Sequence, residues 1–92
     1  MGDMIILNLD GSILKSKEEL HNTIFYQLAL PDYYGRNLDA LWDVLSTWSA
    51  PLRIEVTHTE LLKMHLADYT DSLLELLYDA QRENNVITLN IS

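Results

Sequence analysis

Residues 30–45 read LPDYYGRNLDALWDVL, and this stretch shows where one helix ends and the next begins. Pro31 restricts the residue before it and Gly35 permits a sharp turn, so a helix that precedes them cannot continue. Asn37 belongs to the residue types that cap helices, and apolar residues then recur at helical spacing over 38–48. The stretch therefore predicts two consecutive helices joined by an aromatic loop.

Three other segments have the length and pattern of strands. The first is a continuous apolar run, and the other two alternate apolar and polar residues, as half-buried strands do. They are residues 4–9, 52–56 and 86–91. Between the second and the third, capping residues and helical spacing predict two more helices, one after Thr57 and one opening at Thr70 or Asp71. The predicted order is β-α-α-β-α-α-β.

This order predicts an α/β fold. Strands separated by helices need crossover connections, so we expect a three-stranded parallel sheet. Right-handed crossovers would pack the helices on one face of that sheet, which gives two layers. An alternative is open at Asp10-Gly11, because this dipeptide also favours a tight hairpin between antiparallel strands. The chain has no linker or repeat, and we expect residues 1–92 to form a single domain.

Composition excludes several functional classes. The chain has 14 acidic and 6 basic residues and a net charge of −8, and its basic residues are scattered, which disfavours binding to nucleic acid or to a membrane surface. Without cysteine it has no disulfide or thiolate site, and no cofactor is expected. No membrane span or signal peptide is recognisable, so we expect a cytoplasmic protein. The acidic charge favours a basic protein partner and disfavours self-association, so a monomer is expected.

Motifs for catalysis are missing. The sequence has no phosphate-binding glycine loop, nucleophile elbow or zinc-binding helix motif, and His21, His58 and His65 lie on separate predicted elements, where structural or solvated roles are expected. Asp39 and Asp43 are one turn apart on the outer face of a predicted helix, where they repel each other. Three interpretations are open: a solvated face, a site for a cationic partner, or a carboxylate pair for catalysis or a metal ion.

Aromatic residues surround these carboxylates. Tyr33 and Tyr34 lie in the loop and Trp48 follows the helix, and interface hot spots favour such residues. On pattern alone, the two tyrosines are equally compatible with the core and with an interface. The phase of Trp42 with the apolar residues of its helix predicts a core position.

Residues 30–43, LPDYYGRNLDALWD, closely resemble the barstar family of intracellular inhibitors of secreted, guanyl-specific ribonucleases of the barnase type. The likeness extends over essentially the whole chain and includes Trp48 and Pro51. The resemblance implies a two-layer barstar-like fold with no enzymatic activity. It also implies a 1:1 inhibitor that plugs the ribonuclease active site with an acidic helix and loop, whose carboxylates mimic RNA phosphates. Such a protein provides self-protection or acts as an immunity protein.

The resemblance implies a role for each matching residue. Tyr33 would pack on the catalytic histidine of the enzyme, and Asp43 would be the central anion, held by phosphate-binding arginines and a lysine. Trp42 would lie partly exposed at the rim, which replaces the core prediction, and a cis peptide bond would precede Pro51. The implied partner-binding residues are Tyr33, Asn37, Asp39, Trp42, Asp43, Ser46, Thr47, Trp48 and Asp79.

Three changes depart from the family pattern. Arg36 stands where the family has Glu, Asp79 stands where it has a longer Glu, and Ser46-Thr47 replace a Thr-Gly pair. These changes favour a sister inhibitor tuned to another ribonuclease of the same class. Because Arg36 and Thr47 alter the implied inhibitory surface, an alternative is a barstar-like interaction or regulatory module whose partner is not a ribonuclease.

Overall fold

The computed structural model describes residues 4–92 as one parallel sheet with four helices, in the predicted order. The elements are β1 Ile5–Asp10, α1 Lys17–Gln27, α2 Leu38–Ser46, β2 Leu52–Thr57, α3 Thr59–Leu66, α4 Asp68–Glu83 and β3 Ile87–Ile91. The strand order is β1-β2-β3, and both neighbouring pairs are parallel. The predicted α/β fold is confirmed. The hairpin alternative is wrong, because the Asp10 carboxylate accepts hydrogen bonds from Ser12 in a local turn that leads to α1.

The sheet has one buried and one exposed face. In β2, Leu52, Ile54 and Val56 are fully buried, whereas Arg53 on the opposite face is exposed and forms an ion pair with Glu55. The same alternation occurs in β1 and β3. Because successive side chains of a strand point to opposite faces, the helices must cover the buried face only. The two-layer arrangement follows from this alternation.

Each helix contributes an apolar stripe to the core. The stripe residues recur every three or four positions, as the sequence predicted. The fully buried ones are Leu20 and Ile24 of α1, Leu41 and Leu45 of α2, Leu62 of α3, and Leu73, Leu77 and Ala80 of α4. Burying each leucine or isoleucine contributes roughly 1.5–3 kcal/mol to stability. Because the apolar stripe of α2 faces the core, the opposite side of this helix faces solvent.

The starts of α3 and α4 differ from the prediction. His58 precedes α3 with a left-handed φ of 54° and makes no side-chain cap, and Ala67 precedes α4 with a φ of 52°. The latter helix begins at Asp68, two residues early, because buried Thr70 instead donates its hydroxyl to the Leu62 carbonyl at 3.1 Å. A positive φ at a residue with a Cβ is unfavourable and is maintained by tertiary packing, which sequence patterns do not register.

Glutamine side chains cover part of both sheet edges. Gln27 of α1 accepts a hydrogen bond from the Asn8 amide at 2.7 Å and donates one to the Asn8 carbonyl at 3.0 Å. At the other edge, Gln81 of α4 accepts a hydrogen bond from the Leu89 amide at 2.7 Å. Open strand edges are templates for pairing with another chain. The two glutamines therefore satisfy backbone groups that would otherwise favour association.

Two further observations concern residues 4–92. No peptide bond among them is cis, so the implied cis bond before Pro51 is wrong. None of the helices that they form is long and apolar enough to cross a membrane.

Candidate functional site

The loop between α1 and α2 separates its two adjacent tyrosines. Tyr34 is 6% exposed and belongs to the hydrophobic core, whereas Tyr33 is 88% exposed. The Tyr34 amide donates a hydrogen bond to the Pro31 carbonyl at 2.9 Å, which closes a turn around the exposed residue. One tyrosine therefore anchors the loop, and its neighbour is presented to solvent.

Tyr34 is anchored by a buried histidine. His21 of α1 is 1% exposed, and its Nδ1 and Nε2 lie 2.7 Å and 2.6 Å from the hydroxyl oxygens of Tyr34 and Tyr69. Burial, with a smaller contribution from the nearby Arg36 charge, lowers the pKa of His21, and burial raises the pKa of both tyrosines. A neutral imidazole has one donor and one acceptor, so one tyrosine donates and the other accepts. This network joins the loop to α1 and α4, and His21 has the structural role that the sequence predicted.

Asn37 begins α2 as the sequence predicted. Its Oδ1 accepts a hydrogen bond from the Ala40 amide at 2.8 Å, and its Nδ2 donates one to the Gly35 carbonyl at 3.2 Å. The first bond satisfies an amide that the helix itself leaves free, and the second holds the end of the loop. One side chain thus sets both the helix start and the loop geometry.

We expect Asn37→Ala to lower the free energy of unfolding by about 1 kcal/mol, because it removes the helix cap. Asn37→Asp keeps the accepting oxygen and loses only the bond to Gly35, so its loss should be smaller. Urea denaturation of the three proteins measures these differences. Equal stability of Asn37→Ala and wild type would contradict the capping role.

The two aspartates of α2 are exposed and unpaired. Within residues 4–92, neither the Asp39 nor the Asp43 carboxylate forms an ion pair or accepts a hydrogen bond. Asp39 lies in the first turn, where the helix dipole favours a negative charge, whereas Asp43 lies in the last turn, where the dipole disfavours it. The same residues contain no group of three possible metal ligands. The charge of Asp43 is therefore open to an external cation.

A cleft of about 520 Å³ lies between the loop and α2. Its lining includes four of the residues implied by the resemblance, Tyr33, Asp43, Thr47 and Trp48. Trp48 is half-buried against the core, and its indole nitrogen is buried without a hydrogen-bond partner among residues 4–92. The cleft combines one unpaired carboxylate with aromatic walls.

Ser46 and Thr47 lie at the C-terminal end of α2, and both are exposed. Their hydroxyls donate to the Asp43 carbonyl, from Thr47 at 2.8 Å and from Ser46 at 3.4 Å. The hydroxyls therefore satisfy the free carbonyl at the helix end, and Thr47 also lines the cleft.

A second groove, of about 310 Å³, lies between α2 and α4. Asp39, half-buried Trp42 and Asp79 line it, so Trp42 contacts both the core and the groove and is not a purely core residue. Asp79 forms an ion pair with Arg82, which offsets part of its charge. The sequence placed Glu75 on the same helix face as Asp79, but neither Glu75 nor Glu83, the other two carboxylates of this groove, was among the predicted binding residues. Their spacing of four residues from Asp79 is the signal that could have found them.

The arrangement suits binding better than acid-base catalysis. No histidine lines the cleft or the groove, and both carboxylates of α2 are exposed to solvent. A general acid and base need environments that separate their pKa values. A surface with unpaired carboxylates beside exposed and half-buried aromatic residues is typical of a site for arginine or lysine side chains of a partner.

Comparison with known proteins identifies a family and a relative of this chain. The family model described as Barstar (barnase inhibitor) matches residues 4–91. A protein of Bacillus subtilis (strain 168) named "Putative ribonuclease inhibitor YrdF" is 42% identical over 76 residues, which cover 82% of this chain and 84% of that protein. The family model spans every described helix and strand, and it therefore includes the loop, α2 and the cleft between them.

Proposed function

The chain belongs to the barstar family, and from this membership we propose that it is a proteinaceous inhibitor of a barnase-type extracellular ribonuclease. It binds its enzyme 1:1 and plugs the active site with α2 and the preceding loop. In this role it acts in the cytoplasm as a monomer, as self-protection or as an immunity protein. Family membership supports an inhibitor rather than an enzyme, in agreement with the sequence.

The unpaired Asp43 beside the aromatic cleft carries this proposal. A ribonuclease active site concentrates cations that bind phosphate, and a carboxylate that enters it takes the place of a phosphate. Its attraction to those cations grows as water is excluded, and Tyr33 and Trp48 are placed to exclude water around it. Asp39, one turn away, supplies a second negative charge on the same exposed face.

A second candidate is a barstar-like interaction or regulatory module with a partner other than a ribonuclease. Two observations favour this candidate over an inhibitor with the same kind of target as the family. Arg82 offsets the charge of Asp79, and Thr47 lines the cleft with a β-branched side chain. Both features change the surroundings of the α2 carboxylates, and neither pairs with the Asp43 carboxylate.

The test is a titration of a purified barnase-type ribonuclease with the protein, followed by RNA cleavage at low and at physiological salt. We expect a sharp 1:1 endpoint at both salt concentrations. Inhibition that vanishes at physiological salt would reflect nonspecific attraction of an acidic protein and would contradict the proposal. The control is a ribonuclease of an unrelated fold, which should keep its full activity.

A further inference from the structure

Arg36 lies in the loop, but its side chain is directed back onto α1. Its Nε donates a hydrogen bond to Asn22 Oδ1 at 2.8 Å, and its Nη1 donates one to the Tyr34 carbonyl at 3.4 Å. The guanidinium carbon also lies 4.5 Å from the centre of the Phe25 ring, in a cation–π contact. The guanidinium therefore contacts two side chains of α1 and one carbonyl of the loop.

The backbone at this position needs external support. Arg36 has a φ of 52°, a left-handed conformation that is unfavourable for a residue with a Cβ. It lies directly before Asn37, whose side chain caps α2, and two residues after buried Tyr34. The three contacts of the guanidinium hold the left-handed residue between these two anchors.

We propose that Arg36 is a positioning residue, which clamps the loop of Tyr33 to α1 and holds it in its binding geometry. This inference rests on the proposed function and deepens it. Considered as a charge alone, Arg36 would oppose a basic partner. In the structure its guanidinium binds within the protein, and a loop that is ordered before binding loses less conformational freedom when the partner arrives.

The two views predict opposite effects for the same substitution. If charge dominates, Arg36→Gln removes a repulsion and strengthens binding to a basic ribonuclease, and Arg36→Lys changes nothing. If the clamp dominates, both variants weaken binding, because neither glutamine nor lysine reproduces the planar fork of the guanidinium. Asn22→Ala removes the acceptor on α1 without changing the net charge, so only the clamp predicts an effect for it.

The experiment has two measurements on wild type and these three variants. The first is the hydrogen-exchange rate of the Tyr34 amide in the free protein, since this amide closes the turn with Pro31. The second is the inhibition constant for a barnase-type ribonuclease. We expect Arg36→Gln to raise the exchange rate and the inhibition constant by about tenfold each, the size expected for the loss of a charged hydrogen bond. Asn22→Ala should raise each by about threefold, because it removes only part of the contacts of the guanidinium. Lys15→Gln, which removes one positive charge outside the loop, is the matched control and should leave Tyr34 exchange unchanged.

A further variant tests whether Arg36 and Asn22 act together. In the double variant Arg36→Gln/Asn22→Ala, the losses should be no larger than in Arg36→Gln alone, because one interaction is removed twice.

Several results would overturn the proposal. Unchanged Tyr34 exchange in Arg36→Gln would show that the loop does not need the clamp, and tighter inhibition would show that charge dominates. Faster exchange with unchanged inhibition would mean that loop order is irrelevant to binding. If wild type inhibits no such ribonuclease, the proposed function fails, and the exchange measurement still decides whether Arg36 holds the loop.

Discussion

Replacing Asp43 with alanine should weaken binding to the cognate ribonuclease by about 30-fold or more, which corresponds to about 2 kcal/mol or more. We expect the largest affinity loss of any single substitution, because the variant leaves enzyme cations buried and unpaired in the complex. Most of the loss should appear as faster dissociation. Surface plasmon resonance with immobilised ribonuclease measures both rate constants.

The free Asp43→Ala protein should be as stable as wild type or slightly more stable. Asp43 lies in the last turn of α2, where the helix dipole disfavours it, and one turn from the like charge of Asp39. Removing it should therefore raise the free energy of unfolding by a few tenths of a kcal/mol. A large loss of affinity together with unchanged or increased stability assigns the effect to binding and not to folding.

Asp68→Ala is the control for this experiment. Asp68 is a fully exposed acidic residue at the start of α4, 3.9 Å from Lys63, and it lines neither groove. The variant has the same change in net charge as Asp43→Ala and should bind almost as tightly as wild type. If the two variants lose affinity equally, the charge of the whole protein drives binding, and the central role of Asp43 is wrong.

Replacing His21 with leucine should lower the free energy of unfolding by about 2–4 kcal/mol, the largest stability effect that we expect outside the apolar core. The buried Tyr34 hydroxyl loses its partner, and the half-buried Tyr69 hydroxyl loses a bond between α1 and α4. Urea denaturation measures the difference. The matched control is His58→Asn, an exposed left-handed position where asparagine is well tolerated, with an expected change within about 0.5 kcal/mol. Equal stability of His21→Leu and wild type would contradict the structural role of the network.

The same histidine should make stability depend on pH. Because burial lowers the pKa of His21 in the folded protein, the unfolded chain binds a proton first as the pH falls. Stability from this group is therefore complete above the ordinary histidine pKa of about 6.5 and is lost as the pH falls below that value, until the folded pKa is reached. The part of the pH dependence that belongs to His21 should be missing in His21→Leu. Asp10, whose pKa is lowered by its bonds to Ser12, adds a separate loss of stability below the ordinary aspartate pKa of 3.8.

The sequence by itself determined the α/β class, the order of elements and the core stripe of each helix. These features follow from local information: the spacing of apolar residues, the helix break at Pro31 and Gly35, and the helix cap Asn37. Parallel pairing of the strands could be predicted as well, because strands connected through helices have crossover connections, whereas hairpin turns join antiparallel strands. Local signals failed at the starts of α3 and α4, where His58 and Ala67 have a positive φ that the sequence pattern does not indicate.

The tertiary structure decided what each residue of the loop does. Tyr33 and Tyr34 are the same residue type in adjacent positions, and only the position of His21 and Tyr69, 48 residues apart in the chain, makes one an anchor and leaves the other exposed. In the sequence, Arg36 is simply a positive charge in an acidic surface. Its role depends on Asn22, 14 residues earlier in the chain, whose side-chain oxygen lies within hydrogen-bond distance of the guanidinium. The spacing of apolar residues and the composition do not encode such distances, because the distances depend on how α1 packs against the loop.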